Sequence, residues 1–191
     1  MSKKDAINHI ANLINKCKKC KLHLNRNNPV VGEGNSNASI IFIGEAPGKN
    51  EDNFGRPFIG RAGKILDEML DYIGLKRNDV YMSNIIKCRP PKNRNPLKIE
   101  IEKCSEYLDK QLEIIRPKVI VPLGRYAISY IFNKFNLSSE KVSSIHGKIF
   151  SINSSFGKIK IIPIYHPAVV IYNKNIRYIL LNDFKKIEEN L

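Results

Sequence analysis

Ser39-Ile-Ile-Phe-Ile-Gly44-Glu45-Ala46-Pro47-Gly48 is the stretch that decides the fold. A continuous apolar run that stops at glycine reads as a strand buried on both faces of a parallel sheet. Three further segments read the same way: Val80-Tyr-Met-Ser83, Lys118-Val-Ile-Val-Pro-Leu-Gly124 and Ile159-Lys-Ile-Ile-Pro-Ile-Tyr165. Between and around them the apolar residues fall at helical spacing. Residues 4–16 carry Ile7, Ile10 and Ile14, and residues 60–73 carry Ile65, Leu66, Met69 and Leu70 before Gly74. Residues 97–115 stop ahead of Pro117, and 124–135 and 175–189 complete the set. Residues 25–37 read as polar loop, and 145–157 as a hairpin or irregular insertion. Strands alternating with helices predict an α/β fold, a three-layer α/β/α sandwich around a central four-stranded parallel sheet. In such sheets ligands bind beyond the carboxyl ends of the strands. Those ends are segments 44–48, 84–91, 124–125 and 166–172, where the least ordinary residues of the chain collect.

A chain of 191 residues suits one domain, spanning 1–191. Lys and Arg number 32 against 18 Asp and Glu, a net charge of +14 that points to a polyanionic partner. Abundant Lys, Asn and Ile also reflect compositional bias, so the charge gains meaning only beside the motifs. No apolar run approaches the ~18 residues of a membrane span, and residues 1–16 lack the apolar core of a secretion signal. The expectation is a cytoplasmic monomer with no membrane partner, in a compartment where disulfides are rare.

Four cysteines in a reducing compartment suggest metal before crosslinks. The spacing is Cys17-x2-Cys20, 67 residues, then Cys88-x15-Cys104. A Cys-x-x-Cys bite lets two thiolates reach one centre, and two more complete a tetrahedral set, for zinc or for iron–sulfur. Such a centre would tie the N-terminal helix to the 88–104 segment.

The strand-end loops carry the rest. Gly44 and Gly48 flank a tight turn that lets backbone approach a ligand closely. Glu51 and Phe58 follow, a carboxylate near a flat ring suited to a planar ligand. Asn84 offers a donor and an acceptor, which suits a nucleobase edge. Arg89, Lys92 and Arg94 make a basic loop suited to phosphates. His166 stands at the same sheet edge.

The paired cysteines, GEAPG-x2-ED-x2-GRPFIGRAG (44–63), SNIIKCRPPKNR (83–94), IVPLG (120–124) and HPA (166–168) occur in that order over nearly the whole chain. Together they resemble the family 4 uracil-DNA glycosylases, the thermostable iron–sulfur type. The resemblance implies that Cys17, Cys20, Cys88 and Cys104 hold a [4Fe–4S] cluster. It implies that Phe58 stacks on uracil, Asn84 reads the base edge, His166 lies near uracil O2 and Glu51 holds or activates water. Gly44, Glu45, Ala46 and Gly48 would line the pocket. The substrate implied is uracil-containing DNA, single- or double-stranded, cleaved hydrolytically to an abasic site. Val169, Val170 and Ile171, after HPA, would form a wedge that enters the base stack. A non-catalytic nucleic-acid-binding metal domain and a cluster-based electron carrier share the cysteines. Neither explains Phe58, Asn84 and His166 on one sheet edge.

Overall fold

A computed structural model describes residues 1–138 and 140–191. Among these residues six strands form one sheet: β1 (Glu33–Gly34), β2 (Ile40–Gly44), β3 (Tyr81–Asn84), β4 (Val119–Pro122), β5 (Phe150–Ser154) and β6 (Gly157–Ile161). Their order is β1-β3-β2-β4-β6-β5. The inner strands β3, β2, β4 and β6 run parallel, which is the expected four-stranded sheet. Two antiparallel edges were not expected: β1 pairs with β3, and β5 pairs with β6. β1 has only two residues inside a polar loop, too few to show a period. β5 is the first arm of the hairpin anticipated in 145–157, and it extends the sheet. β6 ends at Ile161, short of the predicted Tyr165, because Pro163 has no N–H for the ladder. A single bridge, Leu123 to Ile164, carries the parallel register onward.

The helices are α1 (Lys3–Asn15), α2 (Lys49–Phe54), α3 (Arg61–Tyr72), α4 (Lys98–Ile115), α5 (Gly124–Lys134), α6 (Val142–Ile145), α7 (Val169–Tyr172) and α8 (Ile176–Glu188). Alternation along β2 sorts them into two layers. Ile41 and Ile43 face a core shared with α1, α4 and α5. Ile40 and Phe42 face a core shared with α3 and α8, where Phe42 stacks on Phe184 with ring centroids 5.7 Å apart. β2 and β4 are thus covered on both faces, which is why they read as apolar runs, whereas β6 alternates Lys158 and Lys160 with buried Ile159 and Ile161.

α1 starts at a capping box between Ser2 and Asp5 and buries Ile7, Ile10 and Ile14. Lys3 Nζ donates to Ile115 O at 2.6 Å, fastening its first turn to the end of α4. No helix among the described residues is long and apolar enough to cross a membrane.

Candidate active site

Strand register builds the site. Gly44 ends β2 directly opposite Asn84, which ends β3. A Cβ on Gly44 would overlap Asn84 Oδ1 and sit 2.8 Å from Phe58 Cζ. Only glycine lets the Asn84 carboxamide and the Phe58 ring close over the strand end. Phe58 itself is buried and held at φ 53°, a left-handed conformation that costs about 1–3 kcal/mol in a non-glycine residue. Arg77 clamps it there. Its guanidinium donates to Phe58 O and, at 3.1 Å, to Pro57 O, and it pairs with Asp67 at 2.7 Å. The ring is fixed before any ligand arrives.

His166 lies beyond β6 and faces the same point, its ring centroid 6.4 Å from that of Phe58. The Ala168 N–H donates to His166 Nδ1 at 3.2 Å. Nδ1 must therefore be an acceptor, so the proton of the neutral imidazole sits on Nε2. Burial pushes the His166 pKa down to about 4, against a weaker upward pull from the Glu51 carboxylate. At neutral pH the site presents a neutral Nε2–H donor.

Glu51, on α2, works in two directions. Its Oε1 accepts from the N–H groups of Ile59 and Gly60, at 3.0 and 2.7 Å, and so anchors the backbone that follows Phe58 and opens α3. Its Oε2 is turned toward Gly48, where a Cβ would come within 2.7 Å. Gly48 keeps that second oxygen unobstructed. Glu45 is half-buried, and burial raises its carboxyl pKa against the opposing charge of Arg125.

Glu45, Ala46, Gly48, Glu51, Phe58, Asn84 and His166 line one cavity of about 390 Å³. Gly44 lies beneath it. Pro47, Pro90 and Ala168, in the strand-end segments expected to meet a ligand, complete the wall with Ala62 and Asn93, which sequence reasoning had not singled out.

The expected DNA contacts fare differently. Val170 is buried against the α3–α8 core, so it anchors α7 and cannot enter a base stack. Ile171 and Tyr172 are the exposed residues, Tyr172 at 87%. Val169 is partly buried. Arg94 also reaches the cavity rim, but its guanidinium forks onto the buried Glu100 carboxylate at 2.6 and 2.8 Å. That pairing offsets much of the charge that Arg94 would bring to a phosphate. Arg89 Nε donates to Asn93 Oδ1 at 2.7 Å, and Lys92 is exposed in a left-handed turn.

The four cysteines meet on the other side of the β3–α4 connection. Cys17, Cys20, Cys88 and Cys104 line a common cavity with Arg26, Lys87 and Tyr107. Arg26 Nη1 donates to Cys88 Sγ at 3.0 Å, and the Lys87 N–H donates to Cys104 Sγ at 3.2 Å. Such donors favour thiolate. Burial, opposed by the charge and the N–H of Lys87, still pushes the Cys104 thiol up to about 12. Among the described residues no three His, Cys, Asp or Glu side chains are placed to hold a single metal ion.

Comparison with known proteins agrees with this geometry. The family model described as the uracil DNA glycosylase superfamily matches residues 31–191. The chain is 50% identical over 185 residues to a type-4 uracil-DNA glycosylase of Archaeoglobus fulgidus, covering 97% of this chain and 93% of the relative. It is 50% identical over 188 residues to the type-4 enzyme of Saccharolobus solfataricus, covering 98% and 87%. A type-5 uracil-DNA glycosylase of Pyrobaculum aerophilum is 31% identical over 160 residues, covering 76% and 68%.

Proposed function

The chain belongs to the uracil DNA glycosylase superfamily, and from that premise we propose that it works as a type-4 member, excising uracil from DNA. It hydrolyses the N-glycosidic bond and leaves an abasic site for base excision repair. The observation that carries this reading is the convergence of Phe58, Asn84, His166 and Glu51 on one cavity at the strand ends.

A stacked, paired uracil must first be flipped out, at a cost of a few kcal/mol. Ile171 and Tyr172, carried on α7 and exposed, are placed to fill the gap in the stack. In the cavity the uracil ring stacks on Phe58. The Asn84 carbonyl accepts from uracil N3–H and its NH₂ donates to O4. Cytosine presents the reverse pattern, and a buried polar mismatch costs about 1–3 kcal/mol. As the bond breaks, negative charge gathers on the base, and the Nε2–H of neutral His166 meets it at O2. Glu51 Oε2 orients the water and balances the positive sugar. No lysine is needed as nucleophile, so excision ends at the abasic site without strand cleavage.

Cys17, Cys20, Cys88 and Cys104 would hold a [4Fe–4S] cluster. Zinc and a [4Fe–4S] cluster both take four thiolates, and the likeness to type-4 enzymes favours the cluster. When bound, the cluster supplies a crosslink between the segment after α1 and the β3–α4 segment, not bond-breaking chemistry. The purified protein is expected to be yellow-brown, with about four irons and acid-labile sulfide. Replacing Cys104 with Ala should bleach it and lower its melting temperature, because ligand binding is folding free energy. A colourless, active protein with stoichiometric zinc would overturn the cluster.

The reading is tested by incubating a uracil-containing oligonucleotide with the protein, measuring free uracil and revealing abasic sites with alkali. DNA binding should weaken steeply with salt, with a log–log slope of about −0.9 per phosphate neutralised on duplex. A flat response would show that the +14 charge takes no part in binding.

A further inference from the structure

Lys87 is a charged residue that the mechanism above leaves without a role, and it is 1% exposed. Its ammonium donates to Ser83 Oγ at 2.6 Å, to Asn84 O at 2.8 Å and to Gln111 Oε1 at 2.8 Å. All three acceptors are neutral. A buried cation without an anion is strongly unfavourable, so the position must repay what a methionine of similar volume would not cost. The compensation lies on both sides of the residue. Its main-chain N–H reaches Cys104 Sγ, Cys88 follows it in the chain, and negative charge at Cys104, Asp109 and Cys88 favours the ammonium. On the other side the ammonium grips the residue that reads the base. Gln111 braces the arrangement from α4 by donating to Val31 O at 2.8 Å.

We propose that Lys87 is a positioning residue for base recognition: held beside the cysteine centre by Ser83 Oγ, Gln111 Oε1 and the main-chain Asn84 O, its ammonium fixes how the Asn84 carboxamide is presented to uracil. The proposal rests on the uracil-excising, cluster-bearing reading given above. It makes β3, α4 and the cysteine centre one support for the recognition residue, where the sequence alone shows a lysine beside a cysteine.

The test uses Lys87→Met, which keeps volume and removes the charge, in the whole iron-loaded protein. Free uracil is the probe, as a competitive inhibitor of excision. A hydrogen bond from a charged donor is worth about 1.5–3 kcal/mol, about 10–100-fold in an equilibrium. Uracil Ki should therefore rise about tenfold or more, while the Kd for abasic-site DNA stays within about twofold. Ser83→Ala removes one anchor and keeps the charge, so it should raise uracil Ki by a smaller factor. It serves as the test if Lys87→Met does not fold. A merely structural role would reduce the amount of active protein and leave the uracil Ki of the remainder unchanged. That outcome in the variant that folds overturns the proposal. Failure of the wild-type protein to release uracil would instead sink the functional reading, and this inference with it.

Discussion

His166→Ala is expected to lower the single-turnover rate of uracil excision by about 10²–10³-fold, the usual loss for one donor to a developing anion. The Ala168 N–H occupies Nδ1, so the side chain has one donor left, the one the proposed mechanism directs to the leaving base. Affinity for abasic DNA should change little, since phosphate and wedge contacts are untouched. The pH dependence carries the same signature. With a folded pKa of about 4, His166 is neutral throughout the physiological range. The rate should show no inflection near 6.5, the value of an unperturbed histidine. Protonation toward pH 4 replaces the neutral form and disturbs the Ala168 contact. The same shift lowers stability as pH falls from about 6.5 toward 4, because the unfolded chain takes up a proton there that the folded site refuses. A folded, iron-loaded His166→Ala protein that cleaves at the wild-type rate would remove His166 from the mechanism.

Glu51→Gln is expected to slow excision by about 10²–10⁴-fold, the range for a lost general base or water-orienting group. Glutamine keeps a carbonyl oxygen for the Ile59 and Gly60 amides, so the backbone after Phe58 should hold. What disappears is the charge on the other oxygen, beside Gly48. Glu51→Ala would remove both functions and is the less informative change. If Glu51→Gln excises uracil normally, the carboxylate is only an anchor for the start of α3.

The inner strands were legible because burial on both faces writes itself as runs such as Ile40 to Ile43. The long helices were legible from their stripes. β1 was not, because two residues carry no period, and neither was α2, because Lys49-Asn-Glu-Asp-Asn-Phe54 is polar around most of its surface. At the site, Phe58, Asn84, His166 and Glu51 stood out by residue type, by position in or after the strand-end loops and by the family motifs, and they line one cavity. Their supports were not. Arg77 lies 19 residues from Phe58 in the chain, and nothing local marks it as the clamp on that residue. Lys87 read as one more basic residue, because a sequence does not show which lysine is inside. The wedge expectation failed at Val170 for a related reason. Four apolar residues in a row do not say which one the short helix α7 turns inward.

The packing of α1 on α4 has a consequence for how the chain is made. The apolar stripe of Ile7, Ile10 and Ile14 leaves the ribosome well before its partner helix, which begins at Lys98. At about 5–20 residues per second, the first helix waits several seconds or more for its cover. Cys17 and Cys20 wait equally long for Cys88 and Cys104. Throughout that interval the nascent chain exposes an oily helix and two uncommitted thiols, so delivery of the proposed cluster belongs after synthesis has passed residue 104. If the cluster is as proposed, an iron-starved cell would accumulate chains in which the segment around α1 is poorly anchored, and proteolysis should trim them there first.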